Sequence, residues 1–480
     1  MTVVDDRPQT RQLGIVEMWD RIHRAFNEFL FLPTCIILLF LLTAVGSYLL
    51  DHTEAVRGAP VHTFLKAHFF ADAKATSDLL GAIAGSIITM TSLTITLLLI
   101  VVQQSAASMT AQVFDQFLRR RQNQFYFGFF VGLALYALIT LATVDDPYNP
   151  IYGAGVALLL TIFALYFLIV LIYTTINQMR PAVIIESIHD HILFARHRQL
   201  DLIRATRRSQ VYAGTHSAPV MATRTGFVTR FNVEKVNEAA AGMRDRIEVV
   251  MNVSIGSYVA YGDCLAIVKA ATPGIASAVV EIVRGAVHIE QQRDVRIDPS
   301  YGIEQMEMIA WTSISTAKSN PAPGLLAIQS LRDIIARWAT EPPIQESEDN
   351  CVVYSDDVIQ HIMDTIETLA VVSSESMQHQ IFAEVACTLA AMLHRLPLDQ
   401  QRRSEDVVLR ILPALGDLVL TRGLDEALSS LAQALEESGY AESASAVRTA
   451  HEQLRRSVGK LNSRATRVTA AVERQGEMTR

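Results

Sequence analysis

Four long apolar stretches occupy the first third of the chain, at residues 29–50, 79–102, 125–144 and 151–173. None of them contains Lys, Arg, Asp or Glu. A helix of about 20 apolar residues crosses the roughly 30 Å hydrocarbon core of a bilayer, and a charge at its centre would cost roughly 2.5–3.5 kcal/mol. The pattern therefore predicts an integral membrane protein with four transmembrane helices in a domain at residues 29–175.

The distribution of Lys and Arg predicts the orientation of these helices. Arginine is frequent in three segments: residues 1–28, the turn after the second stretch and the segment that follows the fourth. The loop between the third and fourth stretches has no Lys or Arg, and its charged residues are Asp145 and Asp146. Cytoplasmic segments carry the excess of positive charge. We therefore expect both termini in the cytoplasm, although Arg57, Lys66 and Lys74 in the external loop weaken the asymmetry.

The pattern changes after residue 175, where charged residues recur every few positions. A basic amphipathic stretch at 176–210 predicts a helical connector, and short alternating runs broken by glycine at 211–299 predict a small β-rich domain, a compact barrel or sandwich. Residues 300–480 show apolar positions at helical spacing and predict an α-helical cytoplasmic domain ending in a basic tail. In the β-rich stretch, the pattern of Gly256, Val259, Gly262, Leu265 and Val268 is similar to lipoyl-type hammerhead domains, but no lysine stands where such a carrier needs one.

Composition changes this picture little. The chain is 50% hydrophobic, with a net charge of −8 and a pI near 5.9, which argues against a nucleic-acid partner. The first 28 residues mix acidic and basic side chains, so we expect no cleaved signal peptide. The four cysteines are far apart and without CxxC spacing, which argues against disulfides and a zinc site.

Two segments resemble a known family, a widespread group of bacterial predicted membrane proteins catalogued as a domain of unknown function. The resemblance extends to about residue 400 and implies the layout, with a bacterial inner-membrane location, but little chemistry. It is carried by Phe117, Arg121, Asn123, Gln124 and Gly128 in the stretch 110–128, and by Tyr301-Gly302-Ile303-Glu304-Gln305, Ser315 and Asn320-Pro321.

Motifs for enzymatic chemistry are not found in the sequence: no Gly-rich phosphate loop, no HExxH and no GxSxG is present. We therefore expect neither an enzyme nor a cofactor. The external loop holds His52, His62 and His68 with Asp51, Glu54 and Asp72, but their spacing fits no standard metal site, and ordinary exposed polar residues explain them better. His189 and His191 would point to opposite sides of a helix.

The second apolar stretch carries small and hydroxyl residues at helical spacing, and we name one row of them the polar stripe: Gly81, Gly85, Thr89, Ser92, Thr96 and Gln103. Gly81 and Gly85 form a GxxxG motif, which is typical of close helix packing. Further hydroxyls stand at Ser86, Thr91 and Thr94. Since Ser and Thr readily bond their own i−4 carbonyl, helix packing explains the pattern. Alternatively, Thr89, Ser92, Thr96 and Gln103 line a polar path.

If the stripe lines a path, the path is uncharged, which favours a channel over a proton-coupled transporter. Four spans cannot enclose a pore alone, so conduction would need a homo-oligomer. Asp78 and Asp115, near the two ends of this helix, would then attract cations. The sequence thus favours a homo-oligomeric channel for small cations with a regulatory cytoplasmic domain, ahead of a membrane-anchored scaffold or sensor and, third, a secondary transporter.

Overall fold

The computed structural model describes residues 30–53, 59–108, 121–145, 148–178, 180–212, 214–243, 245–315, 320–341 and 350–456. The chain divides into two compact units, Met1–Arg180 and Pro181–Arg480. In the described residues of the first unit, four helices are long and apolar enough to cross a membrane, as predicted. The described residues are mostly helical, with one small region of sheet.

The described residues of the first unit form five helices, and the second of them is a short segment in the predicted external loop. They are α1 (Phe31–His52), α2 (Pro60–His68), α3 (Ala73–Ser108), α4 (Arg121–Ala142) and α5 (Ile151–Gln178). With 36 residues, α3 begins six residues before the second apolar stretch and continues six residues past it, to Ser108.

Helix α4 lies at the centre of this unit. Its apolar window is 56% buried, against 22% for α1, 28% for α3 and 17% for α5. Two glycines allow α1 to approach α4 closely: a Cβ added at Gly128 would lie 2.9 Å from the Cα of Pro33, and one at Gly132 would lie 2.5 Å from Cδ2 of Phe40. The small residue is required by this backbone approach.

Helix α1 ends two residues beyond the predicted span and therefore includes Asp51, which is buried. The Asp51 carboxylate accepts the backbone N–H groups of Tyr152 (2.9 Å) and Gly153 (3.0 Å) at the start of α5. The first N–H groups of a helix have no partner within it, and a carboxylate also matches the positive end of the helix dipole. The predicted span 29–50 itself holds no carboxylate, and Asp51, the next residue, caps a neighbouring helix.

The second unit opens with the predicted connector, helix α6 (Pro181–Arg204), and continues into a region of strands and helices. The elements of this region are β1 (His216–Met221), β2 (Gly226–Phe231), α7 (Val233–Ala241), β3 (Glu248–Met251), β4 (Tyr258–Val259), β5 (Cys264–Ala270), α8 (Pro273–Ala286) and β6 (Val287–Glu290). A further strand, β7 (Val352–Val353), comes from a later part of the chain.

Two sheets form here, with strand orders β1-β5-β3-β7 and β4-β2-β6. All pairings are antiparallel except β3 with β7. The predicted short strands are present, and Gly256 and Gly262 turn the chain with φ of +92° and +88°. A barrel or sandwich of strands alone was the wrong expectation, because Ala276, Val279 and Val283 bury one face of α8 on the sheet of β1 and β5.

The described residues that follow this region, apart from β7, are mostly helical, as predicted. Its helices are α9 (Pro299–Ser315), α10 (Ala322–Ala339), α11 (Val358–Glu375), α12 (His379–Leu393), α13 (Leu398–Ile411), α14 (Arg422–Glu437) and α15 (Ala441–Arg456), with a 3-10 turn at Leu412–Asp417. Neighbours pack as hairpins: α9 against α10 and α11, and α14 against α12 and α15. The strongly amphipathic α14 buries Leu424, Leu428, Leu431 and Leu435.

Candidate functional site

Helix α3 packs against α4 and α5, and its buried residues lie along one face. Leu80, Ile83, Ile87 and Thr94 are buried on this face, at successive spacings of three, four and seven residues. With 3.6 residues per turn, such positions fall on one side of a helix. The inner face of α3 is therefore mainly apolar, with three threonines, Thr76, Thr91 and Thr94, along it. The Oγ1 of Thr94 has no hydrogen-bond partner among the described residues.

The polar stripe lies on the opposite face of α3. Each of its six residues is exposed in the protomer. A Cβ added at Gly81 or Gly85 would meet nothing within 4 Å. The GxxxG motif thus packs on no described residue of its own chain, and its role in helix packing stays a prediction that requires another chain.

Two hydroxyls of the stripe are bonded within the helix. Thr89 Oγ1 donates to the carbonyl oxygen of Gly85 (2.9 Å), and Thr96 Oγ1 donates to that of Ser92 (3.0 Å). A hydroxyl that gives its hydrogen to a carbonyl keeps its oxygen lone pairs for another donor or a cation. The arrangement therefore suits a dry helix interface, and it also suits a wall that presents oxygen atoms outward.

Hydroxyl residues that look alike in the sequence separate by face in the structure. Thr91 is half-buried and bonds the carbonyl of Ile87 (2.7 Å), and Thr94 is buried on the inner face, whereas Ser86 is exposed beside the stripe. Asp78 is exposed near the start of α3, one turn after the exposed Lys74. The other acidic candidate, Asp115, lies outside the described residues.

The polar groups of the external loop do not converge. Among the described residues no group of His, Cys, Asp and Glu could hold a metal ion. The ring of His52 contacts those of Tyr48 and Tyr148, with centroids 4.2 and 4.6 Å away, and Asp51 caps α5. Glu54 lies outside the described residues. In the connector, Nε2 of His189 lies 2.8 Å from Oδ2 of Asp333, while Nδ1 of His191 contacts the carbonyl of Ser187.

The signature around Tyr301 forms a junction in the second unit. Arg293 lies within 2.6 Å of both Asp298 and Glu304 and stacks on the ring of Tyr301 at 4.6 Å. Although burial opposes its charge, the hydrogen bonds from Arg293 to these carboxylates raise its pKa. A Cβ on Gly302 would lie 2.3 Å from Cγ1 of Ile192, so this glycine lets α9 approach the connector α6. These residues therefore act in packing.

Sequence reasoning missed two buried ion clusters in the second unit. Glu248 is fully buried and faces Arg207 (3.3 Å) and Lys269 (3.4 Å), while Arg196 pairs with Asp356 at 2.7 Å. The partners are 21 to 160 residues apart in the chain. Only a charged residue inside an apolar strand, such as Glu248 in Glu248–Met251, gave a local signal.

Comparison with known proteins supports the layout. The sequence model of a family described as "Predicted membrane protein (DUF2254)" matches residues 27–365, from the first span into α11. The expected resemblance to about residue 400 thus extends somewhat beyond the matched region. No curated protein and no solved structure matches the chain. Since the matched region is well over half of the 480 residues, the chain belongs to the DUF2254 family of predicted membrane proteins of unknown function.

Proposed function

We propose that the chain forms a homo-oligomeric channel for small cations in a bacterial inner membrane, with the polar stripe of each copy lining the pore. The cytoplasmic second unit would regulate opening. One observation carries the proposal: the stripe is exposed along the face of α3 that is turned away from its own protomer. On a lone protomer in a bilayer, this row of glycines, hydroxyls and an amide would face lipid.

Assembly follows from the physics of helices in lipid. Interfaces between membrane helices are enriched in Gly, Ser and Thr because small residues let backbones approach. Gly81 and Gly85 have open space in front of them, so a neighbouring helix can come close there. A ring of protomers would bring the stripes together at its axis, which a closed cyclic symmetry permits.

A preference for cations follows from the chemistry of the wall. Hydroxyl and amide oxygens can replace part of the hydration shell of a cation. The apolar stretch 79–102 has no charged residue that would repel one. Asp78 near one end, and Asp115 by its place in the sequence near the other, would raise the local cation concentration, with Lys74 opposing Asp78.

Ion flux through liposomes that contain the purified protein tests this proposal. Ser92→Leu places an apolar side chain in the path and should abolish flux, while Thr96→Val removes one oxygen and should reduce it. Thr91→Val is the matched control, since it removes a hydroxyl with the same i−4 bond from the other side of α3. Absence of flux from the wild-type protein would contradict the proposal.

A membrane-anchored scaffold or sensor is the second candidate, and the internal hydrogen bonds of Thr89 and Thr96 favour it. Such bonds satisfy both hydroxyls without water, so a stripe that only packs needs no pore. Labelling of Ser92→Cys by a water-soluble, membrane-impermeant thiol reagent separates the two, in a background without the native cysteines. A channel allows labelling of the introduced thiol, whereas a sealed interface does not.

A further inference from the structure

A groove runs between α9 and α11 in the second unit, with a volume of about 590 Å³. Its floor and rim come from one row of α11 residues at spacings of three and four, together with Trp311 of α9 and Arg410 of α13. The α11 residues are Asp364, Glu367, Thr368, Val371, Val372 and Glu375. The groove therefore follows the last three turns of α11.

Large apolar side chains lie open in and beside this groove. Trp311 is 48% exposed and Val371 is 40% exposed. Met308, one turn before Trp311 on the same face of α9, is 51% exposed. Apolar patches rimmed by polar groups on soluble domains mark interaction sites. The groove thus has the composition of a docking surface.

The rim of the groove is acidic. Three carboxylates line it, against the single guanidinium of Arg410, which is paired with Glu367 (3.6 Å) and with Asp406. The excess extends beyond the rim, since residues 300–456 hold 23 Asp and Glu against 11 Lys and Arg. Complementary charge steers and selects binding segments, so a basic apolar segment fits this surface.

The basic tail, residues 457–480, has that composition. It holds five Lys and Arg against two Glu. Its apolar residues recur at helical spacings of three and four, at Val458, Leu461, Ala465, Val468 and Val472. Four of its cations stand between them or just after them, at Lys460, Arg464, Arg467 and Arg474. Lys460, Arg464 and Arg467 each directly precede an apolar residue of this row, so on a helix they would flank it. An apolar row with flanking cations is the pattern of a helix that lies in an apolar groove with an acidic rim.

The point where the tail begins lies on the side of the fold where the groove ends. Arg455, near the end of α15, contacts Asp425 at the start of α14 (3.5 Å). The 3-10 turn Leu412–Asp417 comes before that start and also packs against α15. Ser374 in the last turn of α11 donates its hydroxyl to the carbonyl of Ala414 in this turn (2.6 Å). From Glu375 to Asp364 the groove rises about 16 Å, whereas 24 residues in a helix would span about 36 Å.

We propose that the basic tail docks onto this groove of its own chain, with its apolar row over Trp311 and Val371 and its cations against the rim carboxylates. The docked tail would cover the face formed by α9 and α11. A polyanion that competes for the cations of the tail would release the tail and expose this face. This interaction does not depend on conduction through the membrane unit.

Fluorescence quenching by acrylamide tests the docking in the full-length protein in detergent. The chain has three tryptophans, and Trp19→Phe leaves Trp338, which is 5% exposed, and Trp311. Acrylamide quenching therefore reports mainly on Trp311. With the tail present, we expect a quenching constant about twofold lower than in a chain that stops after Arg456, because a docked segment would remove most of the exposed ring surface.

A charge reversal keeps the test valid if the shortened chain does not fold. Arg464→Glu in the full-length chain should raise the quenching of Trp311 toward the value of the shortened chain, because the introduced carboxylate would be repelled by the carboxylates of the rim. Arg422→Glu is the matched control, since this arginine is exposed on α14 and outside the groove, and it should leave quenching unchanged. Equal quenching of wild type, Arg464→Glu and the shortened chain would overturn the proposal. If that equality comes with weaker binding of the shortened chain to phosphatidylglycerol vesicles, the tail belongs to the membrane surface instead.

Discussion

Glu248 joins the end of the connector to the sheet of the second unit. Its carboxylate accepts the backbone N–H groups of Val211 (2.8 Å) and Tyr212 (3.0 Å) and faces the cations of Arg207 and Lys269. A buried charge is tolerated only when hydrogen bonds and opposite charges compensate for its lost hydration. Glu248 meets this condition because its partners approach from two segments of the chain.

Removal of this one charge should destabilise the second unit strongly. Glu248→Gln leaves Arg207 without its buried partner, and breaking such a pair costs about 3–5 kcal/mol. Thermal unfolding in detergent measures the loss. Asp201→Asn is the control, since its pair with Arg204 is largely exposed and contributes less than about 1 kcal/mol. Equal melting temperatures for the two variants would show that the Glu248 cluster adds no stability.

Asp333 of α10 contacts His189 of the connector α6, and its carboxyl makes the stability of the second unit depend on pH. Burial raises the pKa of its carboxyl, but hydrogen bonds from Arg337 and His189 outweigh burial and hold that pKa below its usual 3.8. A carboxyl with a lowered pKa in the folded state stabilises the fold above its unfolded pKa, and this contribution is lost as the pH falls through the folded value. Because the side chain is 46% exposed, we expect less than about 1 kcal/mol.

Asp333→Asn should therefore lower the melting temperature at pH 7 and have a progressively smaller effect as the pH falls below 3.8. The measurement is thermal unfolding of both proteins over this pH range. A difference that stays constant down to pH 3 would show that the side chain acts through packing and not through its charge.

At the scale of the element, glycine has two distinct uses in the membrane helices. Helix α1 packs directly on Gly128 and Gly132 of α4, whereas Gly81 and Gly85 of α3 face open space. The protomer requires glycine at positions 128 and 132, because a Cβ there would overlap Pro33 or Phe40. In the second case the fold of the protomer places no demand on the residue.

Two alanine substitutions should separate these uses. Gly132→Ala forces Phe40 to move and should destabilise the protomer by about 1–3 kcal/mol. Gly85→Ala should leave the protomer equally stable or raise its stability by up to about 1 kcal/mol, since alanine favours helix. Unfolding of the monomeric protein in dilute detergent measures both effects. A large loss from Gly85→Ala would mean that α3 packs on its own chain through this face.

At the scale of the whole molecule, the polar stripe requires either lipid or another protomer in front of it. The channel proposal predicts a second copy, and a bulky side chain at the interface should then prevent assembly. We expect Gly85→Leu to shift the wild-type oligomer toward the monomer in native mass spectrometry. Gly46→Leu is the matched control, because this glycine of α1 also faces open space but lies on another helix. A monomeric wild-type protein, or equal behaviour of the two variants, would contradict assembly through the stripe.

The second unit shows where sequence patterns are sufficient and where they fail. Pro321 and Gly439 mark helix boundaries within the predicted helical region, because proline and a glycine with φ of +88° act on their own neighbours. The strand Val352–Val353, in contrast, pairs with Val249 and Val250 about a hundred residues earlier. Nothing local marks a pairing at that separation, and two apolar residues are too few for a period.

Local patterns along the chain were enough to predict the four long apolar helices and the helical C-terminal region, because length, apolar period and glycine or proline act within a few residues. The motifs around Arg121 and Tyr301 were enough for the family. Which side of α3 is packed, in contrast, depends on the fold of the whole unit. Thr89 and Thr94 are chemically identical and five residues apart, yet one is exposed and the other is buried. Their difference arises from the position of α4 and α5, and such contacts between distant segments leave no mark on the residues beside them.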